Sequence, residues 1–129
     1  MVIDSSALIA IILGEPERRS FIEAIASTDT RLVAAPTMLE ASMVLLSRTG
    51  EDRLRDLRDF CARGAVDIAP FGPEHVDVAI DAFRRFGKER HAAGLNFGDC
   101  FSYALAKATG EVLLFKGDNF SQTDIKRAL

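Results

Sequence analysis

Four carboxylates stand where an alternating α/β chain passes between strand and helix: Asp4, Glu40, Asp99 and Asp118. Brought to one concave edge, such groups repel each other and raise their own pKa values unless a cation sits among them. Oxygen donors of this kind suit Mg²⁺ or Mn²⁺ rather than zinc, which prefers nitrogen and sulfur. Taken singly, each acid has an ordinary structural use. Asp4 can cap a helix, and Glu40 stands three residues after Thr37, the spacing of a capping box. Asp99 stands three after Asn96, where it favours the helix dipole, and Asp118 lies in the turn Lys116-Gly117-Asp118-Asn119. Only the joint pattern points to a metal.

Cations are fewer near these acids. Arg84, Arg85, Lys88 and Arg90, offset by Glu89, give a local charge of +3 (four minus one) shortly before Asp99, a patch able to hold nucleic-acid phosphates or simply a solvated helix end. Lys116 is the better single candidate for a phosphate contact because it abuts Gly117-Asp118. Phosphodiester cleavage without a metal needs placed general acids and bases, usually histidines. His75 and His91 are the only two, neither lies in an acidic segment, and both are expected at the surface.

The elements that must position these groups follow from periodicity and punctuation. Val2 and Ile3 begin a short strand, Asp4-Ser5-Ser6 offer caps, and Ala7 to Leu13 form a helix ended by Gly14. A second helix runs from Pro16 to the polar break at Ser27. Leu32 to Ala35 is a strand closed by Pro36, followed by a helix to Gly50 with Leu39, Met43 and Leu46 on one face. Leu54, Leu57, Phe60 and Cys61 mark the next helix, and the spacing buries the Cys61 thiol. A strand over Val66 to Ala69 precedes a helix from Pro73 to Gly87 carrying Val76, Ala79, Ile80 and Phe83. After a basic loop, Asn96 caps a helix from Phe97 to Ala108, and Val112 to Phe115 is the clearest buried strand, with a last short strand near Ile125. Strands separated by helices cannot form hairpins, so the sheet is mostly parallel and covered on both faces.

The 129 residues favour one domain, residues 1–129, with ordinary soluble composition: 48% apolar and 27% charged. No run is long enough to cross a bilayer and no leader pattern is seen before Ala7 to Leu13, so the chain is expected in the cytoplasm. Two cysteines without a C-x-x-C spacing suggest neither a disulfide framework nor structural zinc. A net charge of -3 requires any nucleic-acid contact to be local. The helix Ala7 to Leu13 is apolar around its whole circumference, so Leu8, Ile9, Ile11 and Ile12 are expected to contribute to an interface.

Met1-Val2-Ile3-Asp4-Ser5-Ser6-Ala7-Leu8, Glu40 after Pro36-Thr37, Gly98-Asp99 opening a helix, and Leu114-Phe115-Lys116-Gly117-Asp118-Asn119-Phe120 together resemble a VapC-type PIN domain over almost the whole chain. The resemblance implies a three-layer α/β/α sandwich with a mostly parallel central sheet, and an acidic pocket that binds one or two Mg²⁺ or Mn²⁺ ions and cleaves RNA. It implies Asp4, Glu40 and Asp99 as core metal ligands, direct or through water, with Asp118 as the fourth acidic member. Ser6 matches the family's small hydroxyl residue near the first Asp. Asn119 stands beside Asp118, where the family often has a further acid, which leaves the second metal open. The implied chemistry is a metal-activated water attacking the phosphodiester in line. The implied partners are an RNA substrate, a VapB-type antitoxin that silences the toxin, and a second copy in a homodimer. Alternatives are a regulatory PIN module that binds metal or RNA without cutting, and a DNA-cleaving relative using the same chemistry. A phosphoryl-transfer reading built on Asp4 and Lys116 fits poorly, because aspartate-nucleophile phosphatases expect a second Asp where Ser6 stands.

Overall fold

The computed structural model describes residues 1–129 as alternating strands and helices. Strand β1 (Val2–Ile3) leads into helix α1 (Ser5–Ile12), α2 (Arg18–Ala26), β2 (Leu32–Ala34), α3 (Ala35–Thr49), α4 (Glu51–Arg63), β3 (Asp67–Ala69), α5 (Pro73–Phe86), α6 (Phe97–Thr109) and β4 (Leu113–Leu114), with a 3-10 turn over Asn119–Gln122. The four strands form one parallel sheet in the order β3-β2-β1-β4, with Val2 opposite Leu113 and Leu32 opposite Asp67. The anticipated last strand is a single parallel bridge, Leu113 to Arg127. Through it the tail closes the free edge of β4, since Leu113 N–H donates to Lys126 O at 2.8 Å and Ala128 N–H to Leu113 O at 2.9 Å.

Side chains alternate across a strand, and that alternation sorts the core into two layers. Ile3, Val33 and Leu114 face a cluster built with α1, α2, α3 and α4. Val2, Ala34 and Leu113 face the other, built with α5, α6 and the tail residues Phe120 and Ile125. This is the expected three-layer sandwich, and strands buried on both faces read as continuous apolar pairs for that reason. Cys61 is buried as its spacing implied, and burial pushes its thiol up to about 11.

Two helix faces differ from the sequence expectation. In α3, Leu39 and Met43 are 59% and 60% exposed, whereas Thr37, Ala41 and Leu45 face inward. The small residues win because α3 must lie against both α1 and α6, which Thr37 and Ala41 permit. In α5, Val76, Ile80 and Phe83 are likewise exposed, and Ala82 is buried. The interface expected on α1 is also corrected. Leu8, Ile11 and Ile12 are buried within the chain because α1 is enclosed by α2, α3, α4 and the sheet, and Ile9 is half-buried.

Candidate active site

Asp4 ends β1 and caps α1: its extended backbone turns the chain, and Oδ2 accepts the Ser6 N–H at 3.0 Å. Ser6 Oγ donates to the same oxygen at 2.6 Å and itself accepts the Lys116 N–H at 3.0 Å, fastening the loop after β4 to the start of α1. The other oxygen, Oδ1, accepts from Ser102 Oγ at 2.6 Å. Asp4 is 3% exposed, and a carboxylate so buried requires such donors. Ser102 belongs to the buried face of α6 and also meets Thr37 Oγ1 at 3.4 Å, so a polar line crosses from α3 through α6 to Asp4. Sequence reading missed Ser102. Its signal is a hydroxyl three residues after Asp99, on the face that α6 buries.

Asp99 serves as the N3 member of a capping box. Its N–H donates to Asn96 Oδ1 at 2.9 Å, while its Oδ2 accepts the Asn96 N–H at 3.0 Å and Asn119 Nδ2–H at 3.1 Å. Burial pushes the Asp99 carboxyl up, the hydrogen bonds from Asn96 and Asn119 oppose that, and the charges of Asp4 and Glu40 add to the rise, which prevails. Glu40 has no capping duty. Helix α3 starts at Ala35, with Pro36 in its first turn, so Thr37 points inward and the expected Thr37-Glu40 box does not form. Both Glu40 oxygens are left without a hydrogen bond, facing the cavity and the backbone of Gly98.

Asp4, Glu40 and Asp99 line one cavity of about 260 Å³ together with Ser5, Ser6, Ile9, Val44, Arg48, Asn96, Lys116, Asn119 and Phe120. Three elements distant in sequence therefore deliver their acids to one place, the C-terminal edge of the sheet where α/β folds put their sites. The exposed Asp118 is outside this lining, and its neighbour Asn119 faces in. Lys116 lines the cavity, but its Nζ pairs with Glu15 and, at 3.3 Å, with Glu17. Arg84, Arg85 and Lys88 are not in the lining. Asp81 pairs with both arginines at 3.7 and 3.5 Å, and Asp124 pairs with Arg85 at 3.3 Å, so acids already answer part of the +3 charge. Neither histidine reaches the cavity. His91 is exposed as expected, whereas His75 is half-buried, accepting the Gly72 N–H at 2.9 Å and packing on Phe71.

As they stand, no three acids, cysteines or histidines are close enough to clasp an ion together. The donor chemistry nonetheless fits a hard divalent cation. The set is all oxygen, Glu40 and the Asp99 Oδ1 are uncommitted, and a cation relieves the mutual repulsion that helps raise Asp99.

Comparisons with known proteins bear on the family and the fold. The PIN domain family profile matches residues 1–126. Ribonuclease VapC30 of Mycobacterium tuberculosis is 46% identical over 125 residues, covering 97% of this chain and 95% of that protein. Ribonuclease VapC of Mycolicibacterium smegmatis is also 46% identical, with 97% of each chain covered. Among solved structures, Mycobacterium tuberculosis VapC20, titled a sarcin-ricin loop cleaving toxin, superposes with a TM-score of 0.77 over 96% of this chain and 95% of its own. At 16% identity that likeness concerns the fold alone.

Proposed function

The chain belongs to the PIN-domain family, with VapC toxins as its relatives, and from that premise we propose that it is a divalent-metal-dependent endoribonuclease, the toxin of a toxin–antitoxin pair. The observation that carries this reading is the meeting of Asp4, Glu40 and Asp99 in one cavity, with Glu40 free of any structural bond. These three would hold Mg²⁺ or Mn²⁺, directly or through water. Asp118, the fourth acid, is assigned no direct contact in this conformation. When bound, the cation supplies Lewis-acid activation of water and charge neutralisation at the phosphate.

The chain's own residues do the positioning. Ser6 and Ser102 fix the Asp4 carboxylate from both sides, and Asn96 with Asn119 fixes Asp99. Glu40, held by nothing, is the carboxylate able to adjust as substrate enters. With no histidine in the lining, the cavity offers carboxylates as its proton acceptors. The relatives' VapC names point to a VapB-type antitoxin as partner. The apolar surface that an antitoxin or a second copy would cover lies not on α1 but around Phe97, which is 80% exposed. It continues over Val76, Ile80 and Phe83, with Leu39 and Met43 beside it.

The decisive experiment incubates the purified chain with mixed RNA, with Mg²⁺ and with chelator, and maps the cut ends. Cleavage is expected in Mg²⁺ only, and Asp4→Asn or Asp99→Asn is expected to lower it by at least about 100-fold while the fold persists. Full cleavage by the double variant in chelator overturns the mechanism.

A further inference from the structure

We propose that Arg48 is a substrate-positioning residue that grips a phosphate flanking the bond to be cut. Two cations line the acidic cavity, Arg48 and Lys116. The Lys116 ammonium is already paired with Glu15 and Glu17, whereas Arg48 makes no ion pair and no side-chain hydrogen bond with any residue of the chain. An anionic substrate entering this cavity therefore finds one guanidinium with all its donors uncommitted. A guanidinium presents a rigid fork that matches two phosphate oxygens.

The helix sets which phosphate it meets. Glu40, Val44 and Arg48 follow one another at four-residue intervals along α3, and all three line the cavity. Eight residues of helix separate Glu40 from Arg48 by about 12 Å along the axis, and helical side chains lean back towards the N-terminus, which brings the guanidinium over the Val44 turn. Arg48 thus stands to one side of Asp4, Glu40 and Asp99 rather than among them. It is placed to hold the strand, not to act at the reacting phosphate. Val44 between them offers an apolar surface to the sugar or base. A cation in the last turn of a helix also suits the helix dipole, which is the purely structural use of Arg48. That use involves no RNA, so RNA measurements separate the two roles.

This assignment rests on the ribonuclease reading, and its test is arranged to fail separately. Binding of a fluorescently labelled mixed-sequence oligoribonucleotide to the full chain is measured in chelator across a salt series, with cleavage kinetics in Mg²⁺ alongside. For Arg48→Ala we expect affinity to fall by about five- to ten-fold, and the slope of log affinity against log salt to shrink by about 0.7, the share of one single-strand phosphate. In the kinetics the loss falls on KM rather than on kcat. Arg48→Lys should recover the salt slope but only part of the affinity, because the charge returns without the fork. A thermal midpoint equal to wild type shows that the loss is not one of folding, and Arg48→Gln serves if the alanine variant proves unstable. An unchanged slope and affinity in Arg48→Ala overturns the proposal, as does a loss confined to kcat. Wild-type protein that binds RNA yet never cuts it overturns the ribonuclease reading instead, while the expected loss of affinity and slope in Arg48→Ala still supports the Arg48 contact.

Discussion

Gly98 separates the stability of the fold from the integrity of the site. It stands in the first turn of α6, buried, with backbone angles that any residue adopts, and faces Glu40 of α3. A Cβ added there lies 2.9 Å from Glu40 Cδ and 3.0 Å from Oε1, and closer still to Oε2. The group that must yield is the tip of a flexible, unbonded side chain rather than backbone. For Gly98→Ala the fold therefore keeps its stability or gains up to about 1 kcal/mol from the better helix former, a shift of a few degrees in midpoint. The site does not keep its geometry, because the methyl permanently takes space the Glu40 carboxylate occupies, so that no adjustment of the free side chain recovers its place and it stays displaced by roughly 1 Å. A misplacement of that size costs on the order of 100-fold in rate, about 2.7 kcal/mol of barrier. The assay pairs thermal unfolding with initial rates of RNA cleavage in Mg²⁺. Adding Glu40→Asp to the alanine variant shortens the displaced side chain, so the double variant should be less impaired than the two single losses combined. Wild-type cleavage by Gly98→Ala refutes the role given to Glu40. An unfolded Gly98→Ala refutes the claim that a side-chain tip absorbs the contact.

Two further outcomes follow from the hydrogen bonds. Ser102→Ala removes one donor from a buried carboxylate and is expected to cost about 1 to 3 kcal/mol of stability by urea unfolding, a change within 0.5 kcal/mol counting against the Asp4 contact (roughly the level of a neutral surface substitution). For Asp124, burial acts to raise the carboxyl, but hydrogen bonds from Tyr103 and Lys107 and the charges of Lys107 and Arg85 outweigh it and hold it down to about 2. A carboxyl depressed on folding adds stability that is present above its unfolded value near 3.8 and lost as pH falls towards 2. Its partial exposure allows about 1 kcal/mol or less. Wild type and Asp124→Asn should differ by that amount at pH 7 and converge as pH falls through and below about 2, and a gap that persists there contradicts the linkage.

Local rules explain why so much of this fold was legible. Asp4 announces itself as a cap, and Asp99 as a first-turn acid behind the cap Asn96, because such contacts span two or three residues; Asp4 does cap α1, and Asp99 closes the capping box that Asn96 opens. The capping reading and the catalytic reading of these two acids were never exclusive, since the cap is what fixes each carboxylate at a helix start beside the cavity. Glu40 misled because a three-residue shift of the N-cap, from Thr37 to Ala34, moves the whole turn and turns Thr37 inward. The burial of α1 was not legible for a different reason. An all-apolar helix looks alike whether its covering comes from α2, α3 and α4 or from another molecule, and only the tertiary packing decides.

The cations and the last acid divide along the same line. Asp118 and Asn119 are adjacent in a turn opened by Gly117 at φ 97, and no periodicity predicts which of two neighbours in such a turn faces inward. The inward one here is an amide, which can donate to Asp99 where a carboxylate would repel it, so the structure uses the position to steady an acid already present. Arg48 obeys helix periodicity from Glu40, two four-residue steps along one face of α3, and is legible in the sequence by that spacing rather than by clustered charge. The segment rich in Arg and Lys before Asp99 stands out because its charges are close in sequence, yet Asp81, three and four residues before the two arginines on the same helix, and Asp124, brought in by the fold, meet part of that charge. In a chain of net negative charge, the cation that matters for an anionic substrate is the one the fold leaves without a partner at the cavity wall. Density of positive residues along the sequence does not report that property, and side-chain pairing in three dimensions does.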